Sequence, residues 1–276
     1  FLSGEKTSES HLWGPRDYFK GDYYNKKSVC HFASETGYHG CPSPESLKKF
    51  IPESSLENRG DGKVCSDANW LVHASQPTVD TSGPFAYRIP LMTRQVERLF
   101  GSAEGISLDE KSQISQAEAL KFFIEHFRVQ KWYRTGIIWW NITDGWPQIS
   151  DAVVDWYGSK KLAFYYIRRS QKPFCLIFDE PDENGEITLV AVNDTRENKT
   201  VEFTVYAAKE NREVLSGTVT AASDKNAVAA RFRPESGEYY IVSWHGDDTG
   251  KNHFVSDIGS GISLDEYTRA LGEFFK

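Results

Sequence analysis

A change of hydrophobic period near Gln171-Lys172-Pro173 divides this 276-residue chain into two unlike parts. From Phe174 onward, short apolar runs alternate with polar residues and turn signals. Residues 174–178, 187–192, 200–206, 213–219, 227–232 and 238–244 read as strands. Val201, Phe203 and Val205 alternate with Glu202 and Thr204, so that strand should have one wet face. Asn184-Gly185 is a strong hairpin signal. Strands of this length and spacing predict an antiparallel β-sandwich of immunoglobulin type over 171–276, closed by a C-terminal helix.

Before Gln171, helical periods alternate with loops: residues 1–28 and 53–87 read mostly as loop, the latter with a helical turn around Trp70. Ala117, Leu120, Phe123, Ile124 and Phe127 form one stripe, which predicts a helix over 116–132. Glu118, Lys121, Glu125 and Arg128 lie off the stripe and are expected to face water. This helix feeds straight into an apolar strand at 136–142, the order of a barrel unit. Further helices are expected at 88–101, from Ile89, Met92, Val96 and Leu99, and at 159–169. Ser43 before Pro44 opens a short helix that Pro52 stops. Ser263-Leu264-Asp265-Glu266 is a capping box for a helix carrying Tyr267, Leu271 and Phe274. Ser107-Leu108-Asp109-Glu110 reads as another helix start.

The stretch from Val29 to Gly40 bears most directly on function. Val29, Phe32 and Ala33 make a short buried strand, Glu35 falls at its end, and Gly37 and Gly40 release the chain into a loop. A carboxylate there is costly unless it is used or paired. One reading is that Glu35 caps a loop or pairs with a cation. The other is that it is reactive, because the C-terminal lip of parallel strands is where catalytic groups collect. The strand at 136–142 ends near Trp139, Trp140 and Asp144. A carboxylate to meet C1 and an indole to cover the C–H face suit a pyranose. Trp140 is the expected platform, with a barrel-core indole as its alternative. Trp139 should face a helix, Asp144 should fix the loop by accepting from backbone N–H groups, and Trp146-Pro147 should pack.

These two segments resemble the C-terminal part of the family two glycoside hydrolases, most closely the β-mannosidase branch. Phe32-Ala33-Ser34-Glu35-Thr36-Gly37 matches the family's nucleophile signature, and Gly136, Trp140, Asp144, Trp146 and Pro147 match a barrel-strand signature. The chain departs from the pattern at Thr36 and at Asn141-Ile142-Thr143. The resemblance implies a retaining glycosidase with Glu35 as nucleophile. It also implies that His11 and Trp13, in Ser10-His11-Leu12-Trp13-Gly14, lie near the sugar subsite. The family's acid/base sits in an Asn-Glu dipeptide, and none occurs in this chain. Too few βα units precede Glu35 to close a (β/α)8 barrel. The expectation is therefore a partial TIM barrel over 1–170, the last strands and helices of a longer enzyme, then the sandwich. Such a piece alone should be inactive and prone to associate through exposed strand edges. A non-catalytic carbohydrate-binding or structural domain of a larger glycosidase is the alternative.

Composition narrows the partners. A net charge of −7 argues against nucleic acid. No run approaches the length of a membrane span. No cofactor and no metal are expected, since Cys30, Cys41, Cys65 and Cys175 show no ligand-like spacing. Cys30 and Cys175 read as core thiols, while Cys41 and Cys65 could pair. Aromatic residues make up 14% of the chain, which suits either an aromatic core or a sugar cleft. Asn141, Asn193 and Asn198 head glycosylation sequons.

Overall fold

The computed structural model describes residues 9–12, 30–59, 63–75, 88–103, 105, 107–258 and 261–276. Trp13 lies outside the described residues.

A three-stranded parallel sheet holds β1 (Glu9–His11), β2 (Phe32–Thr36) and β3 (Gly136–Trp139) in that order. Gly136 stands against Phe32 so closely that a Cβ there would lie 2.8 Å from the Phe32 ring. Between β2 and β3 come four helices and then a long fifth: α1 (Pro44–Leu47), α2 (Glu53–Leu56), α3 (Ala68–Val72), α4 (Arg88–Phe100) and α5 (Leu108–Val129). The Ser43 hydroxyl accepts from the Ser46 amide and opens α1, as its position before Pro44 implies. Pro52 ends that segment but also begins α2, which the sequence did not announce. Ile89, Met92, Val96 and Leu99 are all buried along α4. Ile89, Met92 and Val96 share a core with Trp70, Leu71 and Leu47, while Leu99 packs in the core around α5.

After β3 comes α6 (Leu162–Ser170), then seven antiparallel strands. They are β4 (Phe174–Phe178), β5 (Ile187–Asn193), β6 (Lys199–Ala207), β7 (Arg212–Ala221), β8 (Asn226–Phe232), β9 (Tyr239–Gly246) and β10 (Gly250–Val255). One sheet has the order β10-β9-β6-β7 and the other β4-β5-β8. Phe174, Leu176, Leu189, Val201, Phe203, Val242 and Trp244 form one core between them. The β4–β5 connection turns at Gly185 with φ +75°. There the Asp182 carboxylate accepts from the Asn184 and Glu186 amides. The seventh strand, β10, is absent from the sequence expectation. Its Asn252 and His253 are polar yet buried, so the run has no apolar alternation to read. The chain ends in α7 (Leu264–Leu271), where the Ser263 hydroxyl accepts from the Glu266 amide and Tyr267, Leu271 and Phe274 point inward.

The expectation for α5 needs correction. Glu118, Lys121 and Glu125 do not face water; they are 6%, 7% and 4% exposed. The apolar stripe packs with Ala33, Ile137 and Trp139. The opposite face is covered by the antiparallel strands and α7. Glu118 Oε1 lies 2.8 Å from His253 Nε2 and accepts from the Tyr267 hydroxyl at 2.5 Å. Lys121 donates to Glu125 at 2.7 Å, and Glu125 also accepts from Ser170 and Asn252 at 3.0 Å. Burying these charges is tolerable because each is paired and hydrogen-bonded. Asn193 is likewise buried, donating to Glu197, Ala221 and Ala222 carbonyls, so its sequon is inaccessible.

Candidate active site

Parallel pairing brings three strand ends to one lip. His11 is in register with Glu35, and Thr36 with Trp139. Both pairings shift register just before the lip, an irregularity that re-aims side chains at a strand end. The Leu12 amide donates to the Glu35 carbonyl, and the Trp140 amide to the Thr36 carbonyl, each at 2.7 Å. The Thr36 hydroxyl donates across to the Leu12 carbonyl at 3.1 Å. The backbone thus fixes Leu12, Thr36 and Trp140 side by side.

On this frame His11 Nδ1 stands 3.3 Å from Glu35 Oε2. The Glu35 side chain is 31% exposed and the His11 side chain 54%. Glu35 is therefore reachable from solvent without being surrounded by it. Trp140 is 46% exposed, whereas Trp139 packs against the helical core. The sequence reading missed Glu9. Its carboxylate approaches His11 Nε2 at 3.8 Å and accepts a hydrogen bond from the Ser34 hydroxyl. Its strand is three residues long, too short for period to reveal.

In the loop after Trp140, Asp144 binds side chains rather than the backbone amides expected of it. Its Oδ1 accepts from Gln148 at 2.9 Å and from the Ser150 hydroxyl. Burial raises the Asp144 carboxyl, against the pull of Lys161, Ser150 and Gln148. Trp146 stacks on His73 with ring centres 5.5 Å apart, and His73 Nδ1 meets the Pro147 carbonyl at 2.7 Å. Cys41 and Cys65 are separate free thiols, one against Met92 and the other against Thr93. Burial pushes the Cys41 thiol up to about 12, so it is no nucleophile near neutral pH. Among the described residues, no group of three or more His, Cys, Asp or Glu side chains is placed to hold a metal. No helix among them is long and apolar enough to cross a membrane.

No protein-family model matches the chain. It is 29% identical over 173 residues to an exo-β-D-glucosaminidase of Arthroderma benhamiae, covering 59% of this chain and 18% of that protein. It is 28% identical over 202 residues to a β-mannosidase B of Aspergillus flavus, covering 68% of this chain and 20% of that protein. The crystal structure of a β-D-mannosidase from Dictyoglomus thermophilum has the same fold over 95% of this chain and 31% of its own, with a TM-score of 0.74 at 20% identity. The chain's homologues are thus β-mannosidases and an exo-glucosaminidase, as the motifs around Glu35 and Trp140 imply. It spans about a fifth of the length of these curated relatives.

Proposed function

We propose that this chain is the C-terminal part of a retaining, β-mannosidase-like glycoside hydrolase, with Glu35 as its nucleophile. In this reading β1, β2 and β3 are the last strands of a (β/α)8 barrel. Residues 171–276 are an immunoglobulin-like sandwich that buttresses it. The observation that carries the reading is the meeting of His11, Glu35 and Trp140 at the carboxyl ends of three adjacent parallel strands.

The chemistry follows from those positions. The Glu35 carboxylate attacks C1 of a β-linked glycoside, and the C1–O bond to the leaving group breaks. A carboxylic acid from the upstream part of the polypeptide, about 5–5.5 Å from Glu35, protonates that oxygen and later activates water. Trp140 packs on the sugar's C–H face, and His11 orients Glu35. The mannosidase and glucosaminidase relatives make a β-mannoside the first substrate to try and a β-glucosaminide the second.

The upstream barrel strands would cover β1 and β3, which are the outer strands of their sheet among the described residues. They would also cover the exposed Ile138 and Ile142. Assay of an aryl β-mannoside tests the reading. The isolated chain should be inactive and self-associated, and the full-length parent active. Full activity in a parent carrying Glu35→Gln would refute it.

The buried pairing of Glu118 with His253 and Tyr267 favours a structural role for the antiparallel part. It ties that part to the helix beneath the lip and offers no reactive group to solvent.

A further inference from the structure

Lys161 is the least expected side chain in the molecule. It stands at the N-cap of α6 and is 1% exposed. Its Nζ donates to the Gly40 carbonyl at 2.8 Å and to the Ser150 carbonyl at 3.3 Å. Gly40 lies on the loop that leaves Glu35. Ser150 lies on the loop that leaves Trp140. The same two residues also meet directly, the Gly40 amide donating to the Ser150 carbonyl at 3.1 Å. One ammonium therefore closes a ring between the two loops that rise from the lip.

Burial pulls the Lys161 ammonium down from its ordinary value, and the carboxylates around it act against that pull. Asp144, Asp151 and Asp155 are all buried, and all three act on Lys161. Asp144 Oδ2, Asp151 Oδ1 and Asp155 Oδ2 accept no hydrogen bond among the described residues. His39 approaches Asp151 at 3.5 Å, but Asp144 and Asp155 have Lys161 as their facing charge. The backbone of Lys161 is also held, since its amide donates to the Val153 carbonyl at 2.9 Å and the next amide donates to Gln113 of α5 at 3.0 Å. Gln116 of α5 repeats the bridge from the other side. Its Nε2 donates to the Tyr38 and Asp151 carbonyls, each at 2.9 Å. Gly40 has no room for a side chain here, because a Cβ would lie 2.5 Å from Gln116 Oε1.

We propose that Lys161 is a positioning residue: its buried ammonium clasps the Gly40 and Ser150 carbonyls and so fixes the gap between Glu35 and Trp140. This rests on the glycosidase reading, in which that gap must match one pyranose ring. Lys161 does not touch the sugar. It acts through two loops, and the expected signature is a loss of turnover larger than the loss of binding.

Two variants keep the test clear of simple misfolding. Lys161→Met leaves buried carboxylates without their cation and threatens the fold. Lys161→Arg keeps the charge but changes the length and shape of the donor. Hydrogen exchange in the full-length parent reads the clasp, and kinetics in the same protein read its consequence. For Lys161→Arg, exchange should rise in 37–41 and 140–151 while 108–129 stays protected. Its kcat should fall on the order of a hundredfold, the usual cost of a misplacement of about 1 Å, with KM changed far less. The proposal is overturned if Lys161→Arg leaves loop exchange and kcat at wild-type values. It is equally overturned if both variants lose protection evenly across the molecule. A wild-type parent that cleaves no glycoside sinks the functional reading alone, because loop-selective exchange would still establish the clasp.

Discussion

His11 Nδ1 lies 3.3 Å from Glu35 Oε2, although the two residues come from separate strands 24 positions apart. Only the parallel pairing of β1 with β2 brings them together. Removing the imidazole should therefore damage chemistry and spare the fold. We expect His11→Ala to lower kcat/KM of the full-length parent by about tenfold to a hundredfold. Its thermal midpoint should stay within a few degrees, since an exposed side chain contributes about 0.5 kcal/mol or less. A large drop in melting temperature with unchanged kinetics would assign His11 to structure instead.

Trp140 presents its indole at the same lip while its amide is bonded to Thr36. Covering such a ring with a sugar is worth about 1.5–3 kcal/mol. Trp140→Ala should thus cost about tenfold to a hundredfold in kcat/KM against an aryl β-mannoside. Trp139→Ala acts elsewhere: that ring packs into the helical core, so its loss should show first in urea denaturation.

Glu118 sets an acid limit on stability. Burial alone would raise its carboxyl, but His253, Lys121 and the Tyr267 hydroxyl outweigh burial and bring it down from 4.5 to about 2. The folded state then holds this proton less tightly than the unfolded state. Its stabilisation is complete above about pH 4.5 and is lost as pH falls toward 2. Burial also lowers His253 from 6.5, which adds a loss of the same sign on acidification. Glu118→Gln should flatten the denaturation profile between pH 2 and about 4.5. Glu118→Ala, which leaves the buried His253 ring and Tyr267 hydroxyl without their acceptor, should cost about 1–3 kcal/mol at neutral pH.

Gly136 fixes the register of β3 against β2. Gly136→Ala would drive a Cβ to 2.8 Å from the Phe32 ring and should destabilise by about 1–3 kcal/mol. Phe32→Leu in the same background should recover part of that loss. A double-mutant cycle in chemical denaturation measures the coupling, and simple additivity would place the two residues apart.

Much of this architecture is written locally. Val201, Phe203 and Val205 alternate because one face of β6 is core. Asn184-Gly185 marks the β4–β5 turn because Gly185 needs positive φ. Tyr267, Leu271 and Phe274 share a stripe because α7 has one buried side. Local pattern fails where tertiary partners satisfy polar groups. The polar face of α5 looked solvated because a helix with both faces covered has no simple stripe. Strand β10 was invisible because Asn252 and His253 are paired with Glu125 and Glu118. Glu35 and Trp140 stood out through motifs at strand ends. Lys161 did not, since it is one of two adjacent lysines at the start of the helix expected over 159–169 and one of its carbonyl partners lies 121 residues away.

Covalent trapping on the full-length parent addresses the role of Glu35 most directly. A slowly hydrolysed fluoro-sugar β-mannoside would be added, the protein digested, and the labelled peptide found by mass spectrometry. We expect one added sugar on the peptide that carries Glu35, and none after Glu35→Gln. A sugar bound to any other carboxylate, with turnover surviving Glu35→Gln, would contradict it.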